Sequence, residues 1–195
     1  MDLPINNLGL GARPALIVVD MCLGFTDPLS PLGFECEDTI LVNQKVIEVC
    51  REKDLPIFFT TTVYRDDSEA SVFRRRLPDL NILVPGSDLI NIHPELNAFS
   101  SDFVIEKNFA SPFFNTNLSE QLFLQEVDSI IVTGLTTSGC VRATVLDGLQ
   151  YNLVVTVVAD GVNDRNKEAH LSNLRDMNNK YADVMSSKRI INLLD

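Results

Sequence analysis

Five short runs of Val, Ile, Leu and Phe, almost unbroken by polar residues, limit what this chain can fold into more than any other feature. They occupy residues 15–20, 56–63, 103–105, 129–133 and 153–159. A strand with one wet face alternates apolar and polar residues, so a run without alternation reads as a strand buried on both faces. That is the condition of a parallel sheet covered by helices. Helical stretches fill the gaps. In residues 37–53 an apolar stripe of Ile40, Val42, Val46, Ile47, Val49 and Cys50 marks one face, and Asp54 and Pro56 stop the helix before the next strand. Residues 119–127 and 139–151 supply two later helices. Alternating strand and helix with right-handed crossovers predicts an α/β, doubly wound, mainly parallel sheet with helices on both faces, organised as a single domain over residues 1–195. The charged, Pro-containing segment 65–95 is expected to wrap the surface as a short helix and loops, serving as a lid or a subunit contact.

Charge excludes several kinds of partner. With 16 Lys and Arg against 27 Asp and Glu, the net charge is −11, which repels phosphate backbones and anionic membrane surfaces. No nucleic-acid partner is expected. The apolar runs fall far short of the ~20 residues that cross a bilayer, and no basic-then-apolar leader opens the chain, so a cytoplasmic protein without membrane contact is predicted. Four cysteines (Cys22, Cys36, Cys50, Cys140) without a CxxC pair, and two histidines (His93, His170), suggest neither a disulfide framework nor a zinc site. No metal or other cofactor is expected.

Ligands of doubly wound sheets bind beyond the carboxyl ends of the strands. Three reactive residues fall there: Asp20 ends the first run, Lys107 follows the third, and Cys140 opens a helix just after the fourth. Each has a plainer reading, as a turn residue, a solvated charge and a small buried hydrophobe; the last suits Cys36 and Cys50. Cys140 differs in position. It lies in Gly134-Leu135-Thr136-Thr137-Ser138-Gly139-Cys140-Val141, where a glycine-bounded turn enters a helix N-terminus. Unpaired amides and the helix dipole at such a place are expected to lower the thiol pKa, a nearby Lys107 to lower it further, and the same amides to suit an oxyanion. A cysteine hydrolase also needs a proton carrier. His93 precedes Pro94 in a loop and His170 sits in a late polar helix, both read as structural, so Asp20 is the better candidate base. Gly134 and Gly139 have the spacing of a phosphate-binding P-loop, but Cys140 and Val141 replace its Lys and Ser/Thr. Gly9-Leu10-Gly11 precedes a strand instead of following one, and so is no dinucleotide fingerprint.

Taken together, Ala15-Leu16-Ile17-Val18-Val19-Asp20-Met21, Val104-Ile105-Glu106-Lys107 with Ser111, Phe113 and Thr116, the turn from Val132 to Val141, Thr144 and Asp147, and Val158-Ala159-Asp160-Gly161 resemble the isochorismatase-like cysteine hydrolases. The resemblance implies a mainly parallel six-stranded sheet, an Asp20–Lys107–Cys140 triad, a cis bond between Leu135 and Thr136, and an oxyanion hole built from the amides of Thr136 and Cys140. Asp27-Pro28, Tyr64-Arg65, Val84-Pro85-Gly86-Ser87 and the stretch from Ser138 to Thr144 are most similar to the N-carbamoylsarcosine amidase branch. Asp164-Arg165 matches the place where the family's arginine binds a substrate carboxylate, which assigns that role to Arg165. Phe25, Tyr64 and Phe113 are candidate pocket walls, and Cys22 is expected to pack rather than react. Nicotinamidases of this family carry metal-binding histidines after the second strand; the corresponding Thr61-Thr62-Val63-Tyr64-Arg65-Asp66-Asp67 has none. The function implied is a cysteine-dependent amidohydrolase that releases ammonia from a small linear carbamoyl or amide acid through a thioester. The alternatives are action on maleamate-like or ureido acids, or a binding or assembly protein without turnover. A homodimer or homotetramer is implied by resemblance alone.

Overall fold

Six strands form one sheet in a computed structural model that describes residues 4–195: β1 (Pro14–Val19), β2 (Ile57–Thr62), β3 (Phe103–Lys107), β4 (Ser129–Leu135), β5 (Val154–Asn163) and β6 (Asp183–Met185). Their order is β3-β2-β1-β4-β5-β6, and every neighbouring pair is parallel. The chain winds outward from β1 to β3, then crosses to the other side of β1 and winds outward again. Winding therefore reverses between β1 and β4, and the crevice at that reversal is where such sheets take ligands.

The absence of alternation in the strand sequences has its expected cause. Every residue of β1, β2 and β4 is buried. Leu16, Val18 and Phe59 pack under α2 (Glu37–Glu52) and α7 (Ser187–Leu194), beside Ile40, Val46, Ile47 and Ile190. Ala15, Ile17, Val19 and Phe58 face the opposite layer of α4 (Leu118–Leu124), α5 (Arg142–Gln150) and α6 (Lys167–Lys180), beside Leu118, Leu122, Val145 and Met177. Edge strand β3 is different: Val104 and Glu106 are exposed, whereas Ile105 and Lys107 are buried. Alternation on an edge strand points Lys107 inward.

The structure extends three of the apolar runs, in β3, β4 and β5, and adds the sixth strand that the resemblance implies. Leu135 and Asn163 pair at the far end of β4 and β5, beyond a register shift at Val132/Gly134 that the apolar runs do not announce. Strand β6 has only three residues, too few to form a recognisable run. Segment 65–95 contains α3 (Ser71–Arg76) and short 3-10 turns at Pro78–Ile82, Asp88–Ile90 and Pro94–Leu96. It is tied to the carboxyl ends of β1 and β2. Tyr64 N–H donates to Leu83 O at 2.8 Å, His93 N–H to Met21 O at 2.8 Å, and Thr61 Oγ–H to Ile90 O at 2.7 Å. Among the described residues no helix is long and apolar enough to cross a membrane.

Candidate active site

Asp20 follows the last residue of β1 and takes φ 48, a left-handed conformation that Asp tolerates better than most side chains. Thr60 of β2 holds it there. The Thr60 hydroxyl accepts from Asp20 N–H at 3.0 Å and donates to Asp20 Oδ1 at 2.7 Å. The second carboxylate oxygen, Oδ2, lies 2.7 Å from Lys107 Nζ, with both side chains at 0% exposure. Lys107 Nζ also donates to Thr62 Oγ1 at 3.0 Å, Phe109 O at 2.9 Å and Cys140 Sγ at 3.5 Å. An ammonium has three protons. Four acceptors therefore crowd one ammonium, and the short contact to Oδ2 is an ion pair.

Cys140 reaches this pair from the other side of the reversal. Gly134 in β4 has φ +101, and a Cβ there would lie 2.0 Å from Val19 O, so only glycine lets the end of β4 pass the end of β1 this closely. The Leu135–Thr136 bond that follows is cis, as the resemblance implies. Residues Thr137–Val141 then form a wide helical turn ahead of α5, and the Thr136 carbonyl gathers the amides on either side of Cys140, Gly139 N–H at 3.0 Å and Val141 N–H at 3.2 Å.

The electrostatics correct one expectation. Burial pushes the Cys140 thiol up to about 12; Lys107 pulls it down, and the Asp20 anion and its acceptor contact raise it again. Removal from water thus outweighs the cation and the helix end that the sequence offers. The resting sulfur is therefore a protonated thiol facing a carboxylate acceptor. Burial opposes the charge on Lys107, but Asp20 and Cys140 outweigh it and hold the ammonium above the ordinary lysine range. Cys22, Cys36 and Cys50 are all buried, with thiols raised mainly by desolvation to about 12, 11 and 12. Cys140 alone of the four keeps partial exposure.

Of the other expected residues, Arg165 and Phe25 meet. The exposed Arg165 guanidinium lies over Phe25 at 6.0 Å and over Phe34, which the sequence reading did not single out, at 5.2 Å. Partial desolvation lowers its pKa, opposed by Asp164 and Cys140. Tyr64 is 1% exposed with its hydroxyl unpartnered, and burial pushes that hydroxyl up to about 12 while Lys107, Cys140 and Asp20 all act on it. Phe113 is buried in the core cluster against which Cys140 packs. It stacks on Tyr151 at 5.1 Å, about three turns along the helix from Cys140, and belongs to the core. His93 accepts from Glu95 N–H at 3.4 Å as a cap. Thr60, Thr62 and the Phe109 carbonyl were not foreseen, because threonine in a strand reads as an ordinary β-former and a carbonyl leaves no mark in sequence. Among the described residues no group of three or more His, Cys, Asp or Glu is placed to hold a metal ion.

Comparison with known proteins agrees with this fold. The isochorismatase domain family matches residues 14–189. N-carbamoylsarcosine amidase of Arthrobacter sp is 34% identical over 97% of this chain and 74% of its own length. Maleamate amidohydrolase of Pseudomonas putida is 31% identical over 93% of this chain and 86% of its own. A cysteine hydrolase from Pseudomonas syringae superposes with a TM-score of 0.92 at 24% identity, covering 100% of this chain and 98% of that one, and shares the fold. A chain matched over nearly all its length by this domain, and this similar to two amidohydrolases, belongs to the isochorismatase domain family.

Proposed function

We propose that this chain is a cysteine-dependent amidohydrolase that releases ammonia from a small linear amide or carbamoyl compound carrying a carboxylate. The observation that carries the reading is the meeting of Asp20, Lys107 and Cys140 at the reversal of the sheet, with Lys107 Nζ 2.7 Å from the carboxylate and 3.5 Å from the sulfur. Because the thiol rests protonated, Asp20 takes its proton as Cys140 Sγ attacks the substrate carbonyl. The amides of Thr136 and Cys140 receive the oxyanion, and Lys107 stays protonated to balance Asp20 and the sulfur. Collapse breaks the C–N bond, Asp20 returns the proton to nitrogen, and ammonia leaves a thioester. Water then gives up a proton to Asp20 as it attacks the thioester, and Asp20 passes that proton to the departing sulfur, which restores the thiol and frees the acid.

Arg165 supplies a planar guanidinium suited to a carboxylate, on a platform of Phe25 and Phe34. An N-carbamoyl amino acid such as N-carbamoylsarcosine fits both ends of this site and would yield sarcosine, carbon dioxide and ammonia. The likeness to N-carbamoylsarcosine amidase supports that choice, and the likeness to maleamate amidohydrolase favours maleamate-type acids as the second candidate. The test is ammonia release from a panel of carbamoyl and amide acids by the native protein and by Cys140→Ala. Turnover that the variant loses is expected. Full activity in Cys140→Ala, or none in the native protein on any member, overturns the proposal.

A further inference from the structure

The Cys140 turn is also held from the side away from Lys107. Asp164 Oδ2 accepts both the Ser138 N–H at 2.8 Å and the Ser138 Oγ–H at 2.6 Å. Its other oxygen accepts Asn166 N–H at 3.3 Å, and its own N–H donates to Asn163 Oδ1 at 2.8 Å, so the carboxylate is fastened to the start of α6. Farther along α6, His170 Nδ1 lies 2.8 Å from the hydroxyl of the buried Thr137. Two successive residues of the turn thus have struts to one neighbouring segment. The turn needs them, because Gly139 has φ −108 and ψ −106, well outside helical values, and a regular helical ladder does not fix its amides.

We infer that Asp164 is a positioning residue that sets the direction of the Thr136 and Cys140 amides where an oxyanion forms. An anion suits the task better than a neutral acceptor, since it binds two donors of one residue through charge-assisted hydrogen bonds. Arg165 follows directly in the chain, so the group that holds the substrate carboxylate and the group that orients the amides share one peptide link. This inference rests on the hydrolase reading above for its use in turnover, but its test does not require turnover.

A small aldehyde adds to the Cys140 thiol: the S–C bond forms, the carbonyl π bond breaks, and the thiol proton passes to the aldehyde oxygen, which sits where the oxyanion would. Iodoacetamide alkylates the same sulfur with loss of iodide and places no such oxygen there. Adduct affinity is measured with propionaldehyde, which is neutral, and with succinic semialdehyde, which carries a carboxylate. Asp164→Ala is expected to weaken both adducts roughly tenfold, the scale of an orientation loss short of a full displacement, and to leave the alkylation rate within about twofold. Ser138→Ala, which keeps its N–H bond to Asp164, should lose less, and Asp164→Asn should recover part of the affinity. Equal changes in adduct formation and alkylation, a loss confined to the carboxylate-bearing aldehyde, unchanged affinity, or no adduct with the native protein would each overturn the inference. The expected pattern in a native protein that releases no ammonia would uphold Asp164 and overturn the hydrolase reading.

Discussion

The two flanks of the Cys140 turn are secured by opposite means. Toward β1 and β3 the partners are charged and sealed, with the Asp20 and Lys107 side chains at 0% exposure. Toward α6 the charges are open, with Ser138 and Arg165 exposed and Asp164 partly so, although Thr137 beside them is buried. Charges in a water-free setting act strongly on each other and on a neighbouring proton, and they are costly to leave alone. Hydrogen bonds at a wet rim contribute little to stability but still fix direction. The sealed flank is therefore suited to moving a proton, and the open flank to aiming a substrate.

The largest effect expected is on turnover: Cys140→Ala, at the meeting of both flanks, should cut kcat by at least about 10⁴-fold. A far-ultraviolet spectrum and melting temperature close to native would show that the loss is chemical. Next is a contrast in stability that can break the comparison. Lys107→Met leaves Asp20 buried without its cation and should cost about 3–5 kcal/mol in urea unfolding, whereas Arg165→Ala should change it by less than about 0.5 kcal/mol. Comparable losses from the two would erase the distinction drawn here.

Arg165→Ala should instead raise KM for carboxylate-bearing substrates roughly 10- to 100-fold, the worth of a hydrogen-bonded charge, while a neutral amide is nearly unaffected. Equal losses on both would remove its carboxylate-binding role. A smaller effect concerns the thiol. The pH at which iodoacetamide alkylation of Cys140 reaches half its maximum should lie above the ordinary thiol value of ~8.5, because burial and Asp20 raise it. Asp20→Asn removes an anion that raises the thiol, so the half-point should move down; Lys107→Met removes the cation that lowers it, so the half-point should move up. Shifts in the reverse sense would contradict the sealed-flank account. Smallest of all, Phe113→Leu should leave KM unchanged, as befits a core residue stacked on Tyr151.

Legibility in the sequence followed burial. β1 and β2 are enclosed on both faces and could be read almost to the residue, whereas β3 alternates, so its inward Lys107 fell past the end of the apolar run. The last residues of β5 were hidden because Asp160 and Gly161 interrupt its hydrophobic pattern, although the strand continues to Asn163. Asp20, Lys107 and Cys140 stood out because all three fall just beyond strand ends, on the side where such sheets bind ligands, within motifs that resemble one family. The Thr60 and Thr62 hydroxyls did not, since the same residue type is common wherever a strand is buried. The sign of the Cys140 shift was misjudged from sequence because a helix start is visible there but the depth of the surrounding pocket is not. The link from Asp164 to Ser138 spans residues far apart in the chain, and only the pairing of Leu135 with Asn163 brings them together.

Lys107 carries one more implication. Its nitrogen is surrounded by Thr62, Phe109, Cys140 and Asp20, and it is kept in its ammonium form. Carbon dioxide and cyanate, the small electrophiles that accompany carbamoyl chemistry, combine only with an amine that has a free electron pair. A lysine with none to offer resists carbamylation by either.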